Sequence, residues 1–419
     1  MKLNKMNIWL SWNDLGQLLE KKKRIYLFGK SEDLVPRTVA KLGNNYEIKI
    51  LDNNKAYHNT TYLNKPILNP EILKEFKKEE DYVIITAEAD AIIPEIESYK
   101  LRKLADFCCT PEFKDWGSLQ TLKNNSTDLI FTSSDYFNLS KMRSSVLGGG
   151  VFFANVSENK YEKKIDGQYR QFIKKEEYFY VVEYVKKELH VFDKDFKILE
   201  KYELDQTKDK KEKPSYCGIT HSKIMNSFFV THPATDVISI YDEKNFKFLD
   251  KIIISTKSNE ITGGQCCHTN DITILENSLF VSYFSKSGLW RKGVYDGGVY
   301  EINLKKDNKK VEIINGLNQP HSPEIIDGNI CVLDSVGKNL FIGTRKASTF
   351  PGFVRGLDND GTYYYIGQSE DMYTSRSFGE TKDITMCNAG IYQYDNEKKI
   401  TRFLATPNIM NIHDILVLK

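Results

Sequence analysis

The chain has seven histidines in 419 residues. Four of them open stretches that resemble one another: His221 in THSKI, His268 in CHTNDI, His321 in PHSPEI and His413 in IHDIL. Arg170 in YRQFI and Arg355 in VRGL open two more, and the six openings lie 51, 47, 53, 34 and 58 residues apart. Imidazoles ligate divalent metals and exchange protons near neutral pH. Guanidinium forks recognise carboxylate or phosphate bidentately. If the six residues share one position of a repeat, they form a ring suited to a metal or to an anionic substrate. His221, His268, His321 and His413 are the expected metal set. His268, His321, Asp271 and Glu324 are the expected acid–base groups. Arg170, Asn270, Trp290, Arg291, Ser322, Arg355, Gln368 and Ser369 are the expected substrate contacts. His232, Asp334, Ser335 and Glu370 end second strands near the same rim. A wet polar channel whose side chains bond only one another and water is the competing reading.

The elements that would hold such a ring are short strands. From about residue 128 onward, stretches rich in Tyr, Phe, Val and Ile recur between turns of Asn, Asp, Gly and Lys. Each opening is followed by a second strand (YFYVVEY, SFFVTHP, LFVSYFS, ICVLDSV, YYYIGQSE) and a third (ELHVFD, VISIYD, GVYEINL, NLFIGT, AGIYQYD). A repeat of this kind, at roughly 40–50 residues per unit, predicts a β-propeller. The last opening, Ile412-His413-Asp414-Ile415, has too little chain after it for a blade of its own. Its missing strands are DLIFTSSDY and GGVFFANV at the start of the region. The C-terminal strand is therefore expected to close the blade begun near residue 128, giving six blades and no exposed edge. The first strand of each blade lines the central channel, which brings the openings together on the axis. The insertion 285–298, with Trp290 and Arg291, reads as an aromatic and cationic platform, and the loop 371–390, with Tyr373 and Arg376, reads as a lid.

Ahead of the repeat, apolar runs at 24–29, 46–51 and 82–87 alternate with helical spacing at 33–43, 70–78 and 91–99. Asn69 and Pro70 mark the start of the second of these helices. This βαβαβ order predicts a small parallel sheet. Its first turn, Gly29-Lys30-Ser31-Glu32-Asp33, has one glycine and two acids where a dinucleotide site needs a G-x-G-x-x-G cradle. Asp52 ends the second strand, but Asp52-Asn53-Asn54 is also turn chemistry. NAD or FAD binding is not expected. The chain is read as a Rossmann-like α/β domain over 1–112, a linker over 113–127 and an all-β propeller over 128–419.

Composition excludes two classes of function. The balance of 59 Lys+Arg against 57 Asp+Glu lacks the basic excess of a nucleic-acid binder. No apolar run reaches the ~18 residues of a membrane span. Seven cysteines, two pairs of them adjacent and none in a C-x-x-C spacing, read as reduced thiols. The N-terminus lacks a signal-peptide pattern, so a cytoplasmic location is expected. No heptad pattern offers a route to oligomers.

The strings CHTNDI, GLWRKG, GLNQPHSPEIIDGNICVLDS, FPGFVRGL and YIGQSE resemble a bacterial β-propeller family, a domain of unknown function sometimes fused to tetratricopeptide repeats. The likeness spans roughly 215–405 and rests on His268 with Asn270, Trp290 with Arg291, Pro320 to Pro323, Pro351 to Leu357 and Gly367 to Ser369. Glu324 departs from that family's P-H-S-P-R pattern. The pieces IYLFG, LDNN, NKPILNPEIL and YVIIT resemble the small Rossmann-like module that precedes glycan-modifying domains. Together these resemblances and the ring imply an enzyme of surface-glycan or nucleotide-sugar metabolism. It would use an axial His/Arg site, with a divalent metal as candidate cofactor, for lyase- or isomerase-type chemistry on a sugar or carboxylate. The other reading is a non-catalytic propeller that binds a glycan or a partner.

Overall fold

The computed structural model describes residues 8–113, 119, 121–137, 144–204, 215–256, 267–292, 294–370 and 387–418. The chain forms two compact units, Met1–Asn124 and Asn125–Lys419.

In the first unit, β1 (Arg24–Phe28) pairs in parallel with β2 (Glu47–Leu51) on one side and with β5 (Asp81–Ile85) on the other. β3 (Thr61–Tyr62), β4 (Lys65–Leu68) and β6 (Phe107–Cys109) complete the order β3-β4-β2-β1-β5-β6. Successive strand residues point to opposite faces. Tyr26, Phe28, Val83, Ile85 and Cys109 accordingly pack with Ala89, Ile92 and Ile96 of α3 (Ala89–Ser98). Ile25, Leu27, Tyr82, Ile84 and Cys108 pack with α1 (Trp12–Leu19) and α2 (Leu34–Leu42). The adjacent cysteines are thus two buried thiols on two faces, and burial pushes Cys108 up to about 12. The predicted helix over 70–78 is a shorter 3-10 turn, Pro70–Glu75, capped by Asn69. It ends where the buried carboxylate of Asp81, ion-paired with Arg24, takes the N–H of Lys77 at 2.8 Å. Asp52 serves the backbone, accepting from Lys30 N–H and Asn54 N–H at 2.8 Å each.

The second unit consists of six four-stranded antiparallel sheets, as the repeat predicts. Their inner strands are Tyr169–Lys175 (blade 1), Ile219–Ser222 (blade 2), Thr269–Leu275 (blade 3), Pro320–Ile326 (blade 4), Phe353–Asn359 (blade 5) and Asp414–Val417 (blade 6). Blade 6 is closed as expected: Asp414–Val417 pairs antiparallel with Asp128–Ser133, which continues to Gly150–Asn155 and Lys160–Asp166. Apolar residues of the middle strands fill the spaces between blades, as with Phe229, Ile238, Ile272 and Val281 between blades 2 and 3. Among the described residues no helix is long and apolar enough to cross a membrane.

Four inner strands share an irregularity. Their pairing slips between Tyr169 and Phe172, Thr269 and Ile272, His321 and Glu324, and Val354 and Leu357. A bulge bends the strand and re-aims its side chains. The backbones also approach closely at the axis. Gly356 has φ +78°, and a Cβ there would lie 3.0 Å from the backbone of Asp414 in blade 6. Gly361 has φ +97° with nothing within 4 Å of a Cβ. Gly356→Ala therefore combines left-handed strain with an inter-blade clash, whereas Gly361→Ala carries the strain alone, about 1–3 kcal/mol. Thermal unfolding should show a larger loss for Gly356→Ala. Equal losses would mean that the blades can separate at that point without cost.

Candidate functional site

The bulges and the strand starts bring one polar side chain from each blade to the same end of the channel. Arg170, Cys217, Asn270, His321, Arg355 and His413 form a connected arc. Arg170 Nη1 lies 3.6 Å from Cys217 Sγ, and the Cys217 thiol donates to Asn270 Oδ1. Asn270 Nδ2 donates to His321 Nε2 at 2.8 Å, and Arg355 Nη2 donates to the same nitrogen at 2.7 Å. Arg355 Nη1 donates to His413 Nε2 at 3.1 Å, which also faces Ser134 Oγ at 2.7 Å.

The partners assign the tautomer of His321. Its Nδ1 lies 2.9 Å from the carbonyl oxygen of Gln319 and 2.7 Å from Ser335 Oγ. A carbonyl only accepts, so Nδ1 carries the proton and Nε2 the lone pair. Burial, then the charge of Arg355, hold this imidazole neutral, well below its ordinary pKa. Burial pushes the Cys217 thiol up to about 12.

A cavity of about 170 Å³ stands over the arc. Arg170, Asn270, His321, Arg355, Cys217 and Gln319 line its polar side, and Tyr184, Tyr216, Phe284, His268 and Trp290 its aromatic side. Arg170 is only 8% exposed, stacks 4.2 Å from the Tyr184 ring, and its Nε has no hydrogen-bond partner within the protein. Gln319 Nε2, 1% exposed, has none either. Among the described residues no carboxylate stands within ion-pair distance of Arg170. Buried donors left unpaired are costly, and here they border the same space.

Beneath the ring, side chains join the blades. Gln171 Oε1 accepts from Ile219 N–H and Ile272 N–H at 3.0 and 3.1 Å, and its Nε2 donates to the Ile272 carbonyl at 3.0 Å. Asp271 Oδ2 takes Ser322 N–H at 2.8 Å, and Ser322 Oγ takes Gly356 N–H at 2.9 Å. Asp414 Oδ2 takes Phe172 N–H at 3.0 Å. Further along the blade 4 strand lies Glu324, half-buried, whose Oε2 is 3.4 Å from Thr273 Oγ1. Burial raises the pKa of Asp271 and lifts those of Asp414 and Glu324 well above their ordinary range, with neighbouring carboxylates adding to both of the latter.

The structure thus brings together Arg170, Asn270, Trp290, His268, His321 and Arg355 at one cavity. His413 joins them through Arg355. Asp271, Ser322 and Glu324 lie outside its lining, in the layers below. Gln368 and Ser369 also lie outside it. Gln368 bonds the Asn388 carbonyl at 2.7 Å, and Ser369 joins Ile412 through 3.1 and 3.2 Å bonds. His232 bonds Ser239 Oγ at 2.8 Å behind Tyr216, and burial lowers it to about 3. Asp334 takes Asn318 N–H at 2.7 Å. Glu370 donates its N–H to the Met410 carbonyl at 2.8 Å. The side chain of Arg291, and Tyr373 and Arg376 of the supposed lid, lie outside the described residues.

The four-histidine set needs correction. His221 lines a different pocket, with Lys174, Lys175 and Glu176, and lies 3.3 Å from Glu243. His268 sits in the cavity wall rather than in the ring, its ring 4.5 Å from Phe284 and 5.9 Å from Trp290. It has φ +52°, and Asp236 of blade 2 holds the backbone on either side of it through Cys267 N–H and Thr269 N–H. The physical reason is register. The repeat aligns on a polar residue, a small or polar one, then an apolar one: Arg170-Gln171-Phe172, Cys217-Gly218-Ile219, Asn270-Asp271-Ile272, His321-Ser322-Pro323, Arg355-Gly356-Leu357 and His413-Asp414-Ile415. That signal also locates Cys217, which a search for histidines passes over. Gln319, Tyr184 and Tyr216 carry no such mark.

Residues 241–419 match the family model described as a domain of unknown function (DUF4915), so the C-terminal part of the chain carries that domain. The matched stretch includes Asn270, His321, Arg355 and His413. No curated protein matches the chain in sequence. Among solved structures it is similar to a chain of a nidogen/laminin complex, at 8% identity and TM-score 0.46, over 70% of this chain and 98% of that one. It is similar to a luciferin-regenerating enzyme, at 12% and 0.42, over 58% and 78%. A gluconolactonase from Xanthomonas campestris matches at 13% and 0.37, over 55% and 73%. Likeness at this level carries no argument about activity.

The carboxylate layer gives a test of the electrostatics. Glu324 has a raised folded-state pKa, so folding takes up a proton there. Its contribution is present below the unfolded value near ~4.3 and is lost as pH rises toward the folded one. Glu324→Gln, neutral at every pH, should match the parent in thermal stability near pH 4 and exceed it increasingly up to pH 8. A stability difference that does not change with pH would show that Glu324 is solvated as an ordinary surface acid.

Proposed function

We propose that the cavity is the active site of an enzyme acting on a compact anionic sugar derivative, a sugar acid or sugar phosphate, by moving a proton. The observation that carries this reading is Arg170: a buried guanidinium whose Nε has no partner in the protein, facing a cavity that Arg355 and the unpartnered Gln319 amide also line. Fork-shaped donors in that position match a carboxylate or phosphate. The volume equals about six water molecules, enough for the anionic end and the atoms next to it. Trp290, Phe284, Tyr184 and Tyr216 offer apolar faces to the C–H side of a sugar. His321 Nε2 is a neutral lone pair beside the guanidiniums, which suits removal of a proton next to a carboxylate. The charge that develops would lie against Arg170 and Arg355. This is the lyase- or isomerase-type proton chemistry expected of the ring.

A divalent metal does not fit the donor set. Among the described residues no group of three or more His, Cys, Asp or Glu is arranged to hold one. A cation at His321 Nε2 would also have to displace Arg355 and sit against its charge. A purely binding role for the same cavity has one observation in its favour: His321 Nε2 is already bonded to Arg355 and Asn270.

Calorimetric titration with inorganic phosphate, an aldonic acid, a hexose phosphate and the matching neutral sugars tests the reading. Anions should bind and neutral sugars should not, with Arg170→Gln weakening the anions at least tenfold, about 1.4 kcal/mol. Equal binding of neutral sugars would remove the anion site. Exchange of the ligand's α-hydrogen in D2O separates catalysis from binding: an enzyme exchanges it and His321→Gln abolishes the exchange, whereas a binding module shows none.

A further inference from the structure

We propose that the anionic ligand itself exposes the base of this site, by drawing Arg355 away from His321 Nε2. The inference rests on the anion-site reading above and adds how the site is switched on.

An imidazole nitrogen offers one in-plane lone pair. At His321 Nε2 two donors share it, Arg355 Nη2 at 2.7 Å and Asn270 Nδ2 at 2.8 Å. The other nitrogen is committed to Gln319 and Ser335. As the protein stands, the lone pair cannot take a proton from a substrate. Arg355 spends its two terminal nitrogens on two neutral imidazoles, His321 and His413, in the side-by-side arrangement that a guanidinium uses for one carboxylate or phosphate. A hydrogen bond to an oxyanion is roughly twice as strong as one to a neutral acceptor. An anion held by Arg170 in the shared cavity therefore competes for Arg355 on favourable terms.

The charged and titratable groups facing His321 agree with this assignment. Arg170 comes from blade 1, His268 from blade 3 and Arg355 from blade 5, and all three act against a positive charge on the ring. Asp271 of blade 3, the nearest carboxylate below, is occupied by Ser322 N–H. Cys217 and His413 complete the surroundings and bring no negative charge while the thiol is protonated. An anion entering the cavity would therefore supply the missing negative charge and lift one of the two donors, the charged one, from the lone pair in one step. Asn270 would remain on Nε2 to orient the ring until the proton arrives. In this scheme an idle site has no exposed base.

The test uses the full chain labelled with 15N. Imidazole nitrogens are recorded at fixed pH 8 while inorganic phosphate is added, His321→Gln supplies the assignment, and calorimetry on the same samples measures phosphate binding. The His321 Nε2 resonance should move toward the position of an unbonded lone pair, saturating with the calorimetric binding curve, while Nδ1 keeps its protonated position. Phosphate that binds without moving Nε2 overturns the unmasking and leaves the anion site standing. Phosphate that does not bind at all overturns both. Arg355→Lys gives an independent check without ligand: it keeps the charge but lacks the fork, so Nε2 should start nearer the unbonded position, and an unchanged Nε2 would count against the proposal.

Discussion

Six inner strands that converge on one axis cannot all keep regular ladders. Where they meet, four of them bulge, and each bulge frees a backbone N–H in a region without bulk water. Every other feature of the channel follows from how those groups are satisfied. Phe172 N–H goes to Asp414 of blade 6, Ile272 N–H to Gln171 of blade 1, Ser322 N–H to Asp271 of blade 3 and Gly356 N–H to Ser322 of blade 4. Three of the four acceptors belong to an adjacent blade of the ring, and Gln171 of blade 1 reaches past blade 2 to blade 3. The hydrogen-bond requirement of one bulge thus ties two blades or more. The narrow spacing that makes this possible requires glycine at 356 and 218, where a Cβ would meet the backbone of the next blade.

The same solution creates the site. A bulge turns consecutive residues toward the axis, one to the stitching layer and one to the layer above it. Arg170 and Gln171 divide the work in this way, as do Asn270 and Asp271. The upper layer is left with donors and neutral acceptors, and the lower one with carboxylates. Asp271 lies at the boundary, close enough that Arg355 and Arg170 oppose its raised pKa. The two guanidiniums are held in place by stacking and by weak acceptors, Tyr184 and Cys217 for Arg170 and two imidazoles for Arg355. For Arg170, which has no carboxylate within ion-pair distance among the described residues, this leaves the charge available to a ligand, where a salt bridge would cancel it.

Much of this was legible in the residues. The closure of the ring could be read because Ile412-His413-Asp414-Ile415 had the pattern of a first strand and no chain to follow it. The two-faced α/β sheet could be read because its strands are continuous apolar runs between helical periods. The ring was legible in kind but not in full. Arg170, His321, Arg355 and His413 stand at one register, and anchoring the repeat on histidine placed His221 and His268 where Cys217 and Asn270 belong. A scarce residue type is a poor ruler, because the bulges shift pairing by a residue and only the apolar third position is held by packing between blades. Gln319 and the tyrosines of the cavity wall come from loops and later strands, where no period constrains them.

The depth of the channel explains why a ligand would stop at the ring. Below it Asp271 and Asp358 add to the raised pKa values of Asp414 and Glu324, and Asp414 adds to that of Glu324. The family that this propeller resembles carries an arginine where Glu324 stands. With an arginine there, the neighbouring acids would gain a counter-charge that favours their ionised form. With glutamate the lower layer holds carboxyl groups whose raised pKa values favour the neutral form, below the guanidiniums and separated from them by the backbone stitches. An anion entering from the cavity would meet guanidiniums at the height of His321 Nε2 and no counter-charge among the carboxyl groups below. Glu324 would thus act on such a ligand by withholding a cation from the lower layer and not through contact, below the level of Arg170, whose Nε has no hydrogen-bond partner within the protein.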